Sequence, residues 1–117
     1  MANDFKGVSK VNVTTAQTIY AAPNTKTSIL LELDIANTTA SAVTASAELL
    51  DNGNTTDAYI VKDAPIPAGG TLQVVSGQKI ILESQDSVRV TASGACDVVC
   101  SILEAVSYTH LTLPTKA

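Results

Sequence analysis

Few residues here have the chemistry to make or break a bond. Two cysteines, Cys96 and Cys100, stand four positions apart, and the one histidine is His110. On an extended chain four residues span about 13 Å. A disulfide needs Cα atoms within about 7 Å. The pair is therefore read as buried free thiols, and with no further ligand beside them they make no metal site. Glu32, Asp34 and Glu48 would come close only if their segments paired. Acid–base work would also need a cleft and a raised pKa. A solvated sheet face explains them more simply. Asp51, Asn54 and Asp57 offer oxygens to calcium, but the loop is shorter than an EF-hand and lacks its terminal Glu. A plain hairpin turn accounts for them. Asn12-Val13-Thr14, Asn37-Thr38-Thr39 and Asn54-Thr55-Thr56 fit the glycosylation pattern. In a Thr-rich chain without a signal-type start they are chance matches. There is no Gly-x-Ser-x-Gly elbow and no phosphate-cradling loop. The expectation is a protein that is not an enzyme, with no catalytic, cofactor-binding or metal-binding residues.

The segments that carry these residues alternate with a period of two, the signature of half-buried strands. The stretch Lys62–Val90 reads KDAPIPAGGTLQVVSGQKIILESQDSVRV. Pro65 and Pro67 fix φ and remove two donors, so 64–68 is expected outside any sheet. Gly69-Gly70 permits a sharp turn. Strands are expected at 71–75, 79–83 and 87–92, as an antiparallel meander with a turn at 76–78. In the last of them Val88, Val90 and Ala92 point inward. Upstream, 7–14 places Val11 and Val13 on one face, and 18–21 places Ile19 inside. The longest signal is Thr27–Asn37, TSILLELDIAN. Ile29, Leu31, Leu33 and Ile35 share one face, and Leu30, Glu32, Asp34 and Ala36 share the other. Leu and Glu favour helix, but the alternation argues for strand. Val43–Leu50 alternates too and is expected to form a hairpin with it. Asn52-Gly53 favours a type I′ turn into 58–62. In 96–105 Val98, Cys100 and Ile102 face in, while Val99 and Leu103 lie opposite and would invite another chain if exposed at an edge. Phe5 is read first as a cap on the core and second as an anchor on a neighbouring chain.

About eight or nine strands with no convincing helix predict an all-β chain: a single antiparallel β-sandwich of jelly-roll or immunoglobulin-like type. The 117 residues suffice for one domain. A net charge of −4 with scattered cations disfavours nucleic acid and anionic membrane surfaces. No apolar run approaches the roughly 20 residues of a helical span. The start, MANDFKGVSK, lacks the apolar core of a signal peptide, so synthesis in a cytoplasm without export by that route is expected.

The last eleven residues, Ser107–Ala117, break the composition. They bring the only His, a further Pro, and two Leu in no strand pattern. Val106–Thr115, VSYTHLTLPT, resembles the conceptual translation of a transposon-type sequencing adapter. The domain is therefore expected to span 1–106, with 107–117 a non-native or disordered tail. A mobile tail or a strand donated to a neighbour is the alternative. His110 is left out of every site.

From Met1 to about Val106 the chain resembles small accessory virion proteins of tailed bacteriophages, of marine and cyanobacterial types found in metagenomes. The residues that carry the resemblance are MANDFKGVSK, LLELDIANTTASAV (Leu30–Val43) and YIVKDAPIPAGGTLQVVSGQKIILESQDSVRVTAS (Tyr59–Ser93). The resemblance implies a non-enzymatic structural role in the virion: decorating the capsid, or attached at the neck or tail. It implies protein–protein contacts, synthesis in a host bacterial cytoplasm and no cofactor. The partners expected are other copies of the chain, a trimer being favoured, and other virion proteins. The interface candidates are Leu30, Val99, Leu103 and Phe5. The alternative is a host-surface or glycan-binding sandwich of an adhesion device. It would need aromatic platforms, for which Tyr20 and Tyr59 are the available residues.

Overall fold

The computed structural model describes residues 3–51 and 56–106. They form eight strands: β1 (Asn3–Val13), β2 (Gln17–Ala21), β3 (Lys26–Asn37), β4 (Val43–Leu50), β5 (Thr56–Ile66), β6 (Thr71–Leu82), β7 (Ser87–Ala92) and β8 (Cys96–Val106). Every pairing is antiparallel. The front sheet runs β1-β8-β3-β6 and the back sheet β2-β7-β4-β5. The first strand pairs with the last, the second with the seventh, the third with the sixth and the fourth with the fifth. That is one long folded ribbon wound around a common core. The sandwich is thus the jelly roll of the two types expected, not the immunoglobulin-like one.

The core between the sheets is aliphatic. Leu30, Leu33, Ile35, Val75, Leu82, Val88, Val90, Val98 and Ile102 are fully buried. Val88, Val90 and Ala92 point inward, as do Val98, Cys100 and Ile102, as the alternation required. Removing each large aliphatic side chain from water contributes about 1.5–3 kcal/mol. With so few aromatics, the count of Val, Ile and Leu carries the fold.

Several sequence expectations change. β3 and β4 form no hairpin: they lie in opposite sheets, and residues 38–42 cross between them. The meander is absent for the same reason, since β6 is in the front sheet and β7 in the back. The expected turn at 76–78 is a bulge inside one strand. Gly77 (φ 112°) and Lys79 (φ 51°) absorb the extra residues between the pairs Glu32–Ser76 and Leu30–Ile80. Pro65 sits within β5, paired with Thr44. It is tolerated because β5 is an edge strand, where a missing donor costs no ladder bond. Asn52-Gly53 lies outside the described residues, as do Ser107–Ala117.

Other bulges reset which face points inward. Val11 and Asn12 (φ 56°) stand against Asp97 alone, so Val11 turns out, 67% exposed, while Val13 is buried. The bulge is fastened by the Asn12 N–H, which donates to Asp97 Oδ1 at 3.2 Å. Ile19 has no counterpart on β7, so Ile19 and Tyr20 are both buried. Leu31 has none on β8. Leu30 therefore faces the core beside Leu33 and Ile35, while Ile29 and Leu31 are only half-buried.

Candidate functional site

The outer face of the front sheet carries the feature that the fold leaves unexplained. Phe5 stands directly opposite Leu103, Leu103 opposite Ile29, and Ile29 opposite Ile81. One apolar row therefore crosses all four strands. Phe5 is 76% exposed and Ile81 54%, with Leu103 and Ile29 half-buried between them. Phe5 is no cap on the core. It sits on the outward side of β1, because its neighbours Asp4 and Lys6 occupy the rungs shared with the inward-facing Glu104 and Ile102. Beside the row lies a shallow groove of about 400 Å³, lined by Phe5, Lys6, Gly7, Leu31, Ser101 and Ile102. Gly7 opens it, since no atom lies within 4 Å of where a Cβ would stand.

Among the residues expected at an interface, Phe5 and Leu103 are thus brought face to face. Val99 lies on the same outer face, 53% exposed, opposite Ser9 and Asp34. It does so on an inner strand of the sheet, not an edge. Leu30 is a correction: it is fully buried between the sheets and offers nothing to a partner. The bulge at Leu31 is the reason. Ile29 and Leu31 belong to the surface instead, which alternation counted from Leu33 and Ile35 could not show.

Beyond the row the same face is acidic, with Glu32, Asp34 and Asp97 on adjacent strands. Burial, then hydrogen bonding and repulsion from Glu32, push the Asp34 carboxyl up to about 6. One of its oxygens, Oδ1, is buried without a hydrogen-bond partner. Glu48 is not part of this group. It belongs to the back sheet, where Arg89 Nε and Nη2 donate to its two oxygens at 3.1 and 3.0 Å.

A second polar group closes one end of the core. Glu104 is 2% exposed on the inner face of β8. The Tyr20 hydroxyl donates to it, and Lys26 and Lys6 approach its other oxygen at 3.2 and 3.4 Å. With its own O–H directed at Glu104, the Tyr20 oxygen accepts a hydrogen bond from the Ser28 hydroxyl at 2.8 Å. Burial alone would raise the Glu104 carboxyl, but these donors outweigh it and hold it below the usual carboxylate range. Burial and Glu104 together push the Tyr20 hydroxyl far up, so it remains a donor. Four strands, β1, β2, β3 and β8, are tied by this set. This is a structural clamp.

Cys96 and Cys100 are both buried and free. Burial raises both thiols, Cys100 to about 12, so neither is a nucleophile at neutral pH. Among the described residues no three His, Cys, Asp or Glu side chains gather in a way that could hold a metal ion. His110 and Asn54 lie outside the described residues. Of the two tyrosines offered for a ligand platform, Tyr20 is occupied in the clamp and Tyr59 is 48% exposed beneath Lys62 Nζ at 5.1 Å.

No protein-family model and no curated protein matches this sequence. Solved structures do share its fold. A subunit of Bacillus endospore appendages, described as a family of disulfide-linked pili, aligns at TM-score 0.55 and 14% identity, over 92% of this chain and 88% of that one. The infectious bursal disease virus Gx strain structure aligns at TM-score 0.47 and 12% identity, over 91% of this chain. The present chain spans 32% of that viral one. The first likeness establishes a shared sandwich.

Proposed function

We propose that this chain is a non-enzymatic structural subunit: a small bacteriophage virion protein that decorates the head or attaches at the neck or tail. It acts through protein–protein contacts, with copies of itself and with other virion proteins. The observation that carries the reading is the apolar row Phe5–Leu103–Ile29–Ile81 on the outside of a sandwich whose core is already closed. Each such side chain gains at most about 1.5–3 kcal/mol on leaving water. Four of them reach the lower range of the rotational and translational cost of association, about 4–15 kcal/mol. A subunit of disulfide-linked pili with the same fold and nearly the same extent supports the idea that this sandwich serves as a building block. A trimer is the favoured closed unit, because threefold axes recur in virions.

Light scattering after size exclusion tests this. The expected mass is that of a closed oligomer, and Ile81→Asp with Leu103→Asp should lower it without unfolding the chain. A monomer at high concentration, unaltered by these substitutions, would sink the reading.

A further inference from the structure

Among the described residues four strand edges are open, those of β1, β6, β2 and β5, and three of these carry devices that discourage pairing. β2 is only five residues long. β5 has Pro65 and a bulge at Asp63 (φ 51°), whose N–H donates to Ser46 Oγ at 2.9 Å. β6 is broken by Gly77 and Lys79. β1 differs. Its register against β8 runs unbroken from Asn3 to Lys10, with no proline and no bulge before Val11. Its residues from Asp4 to Asn12 are exposed save Val8.

We infer that the free edge of β1 pairs antiparallel with β1 of a second copy, about a twofold axis at Gly7, joining two front sheets into one of eight strands. The charges fit this register. Lysines on an edge ordinarily blunt it. Here Asp4 and Lys10 lie three residues either side of Gly7. In antiparallel self-pairing each Asp4 therefore faces Lys10 of the other copy, twice over, on the same side of the sheet. Phe5 falls opposite Ser9 and diagonal to Gly7 of the other copy. A ring there covers the groove that Gly7 leaves open, the arrangement in which an aromatic shields an edge glycine. Backbone complementarity points to the same occupant, since an edge strand offers alternate donors and acceptors that its own copy matches. A sheet of eight strands stays within the roughly ten that an open twisted sheet sustains. The contact goes beyond the virion reading and does not depend on it. A twofold seam along β1 and a threefold contact through the face are compatible in one particle.

Cysteine cross-linking of the full chain tests the seam. Directly opposed Cα atoms stand about 4.5–5.5 Å apart, within disulfide reach. Gly7→Cys should give a covalent dimer under mild oxidation, because residue 7 meets its own equivalent. Asp4→Cys with Lys10→Cys should do so too. Either of these alone should not, since each then lies about 20 Å from its counterpart. Cys96 and Cys100 are buried and leave the unsubstituted chain uncrosslinked. Lys10→Glu, at an exposed position, should weaken dimerisation by about tenfold by setting like charges opposite one another. Absence of the Gly7→Cys cross-link in a protein whose mass is dimeric would overturn the inference. So would a Gly7→Cys link without the Asp4–Lys10 link, because the register would then be wrong. A cross-link in a protein insensitive to Ile81→Asp and Leu103→Asp would uphold the seam and remove support from the virion reading.

Discussion

Glu104 and Asp34 are both carboxyls on the front sheet, and their surroundings drive them in opposite directions. Glu104 ionises more readily than a free carboxyl because Tyr20, Lys26 and Lys6 donate to it. Its contribution is present above the unfolded value of about 4 and is lost as pH falls through the lower folded value. Asp34 ionises less readily, at about 6, because it is buried beside Glu32. Between about 4 and 6 the folded chain holds a proton there that the unfolded chain has released, so stability falls as pH rises through that window. Asp34→Asn should therefore flatten the melting temperature between pH 4 and 6 and raise it at pH 7. Thermal melts of both proteins across pH 3–8 check this (roughly the span of the two titrations). Tyr20→Phe removes the donor to Glu104 and leaves a buried carboxylate short of one bond. A loss of about 1–3 kcal/mol is expected in urea titration at pH 7.

Bulges decide where each strand's side chains go. The bulge in β6 depends on Gly77 at φ 112°, where a Cβ would meet no atom within 4 Å. Gly77→Ala should therefore cost about 1–2 kcal/mol through backbone strain alone, with no clash to relieve. Denaturant midpoints of the two chains give the difference. Asn37 plays a comparable part at the end of β3. Its amide donates to Ser41 O at 2.8 Å, Ile66 O at 3.0 Å and Pro67 O at 3.2 Å, and its carbonyl accepts from the Thr39 N–H at 2.9 Å. It holds the β3–β4 crossing against the β5–β6 turn. Replacing Asn37 by Ala leaves several buried groups unpaired, and a loss of about 3 kcal/mol in the same assay is expected.

The sandwich as a unit has a core of small aliphatics and an apolar row on its surface. Burying that row in an assembly would add stability by mass action. The melting temperature should then rise with protein concentration, by about 3–6 °C for a tenfold increase. Scanning calorimetry over two decades of concentration checks it, and Ile81→Asp should reduce the dependence. A concentration-independent melt in the parent chain would count against self-association through the row.

Much of the fold was legible in local alternation. β3, β4, β7 and β8 were recognised almost to their ends, because each is a run of Val, Ile, Leu and Ala at every second position bounded by turn residues. Pairing was not. Neighbours in sequence look like hairpins, yet β3 with β4 and β6 with β7 go to opposite sheets, because winding the whole ribbon buries both faces of the core at once. The phase of the alternation was not legible either. A single extra residue at Leu31, Ile19 or Asn12 exchanges inside for outside, and nothing local marks Leu31 as the one without a partner. That is why Leu30 looked like surface and Ile29 like core. The sequence settled that the chain is all strand. The apolar row on the outer face exists only once four strands from opposite ends of the chain are set in register.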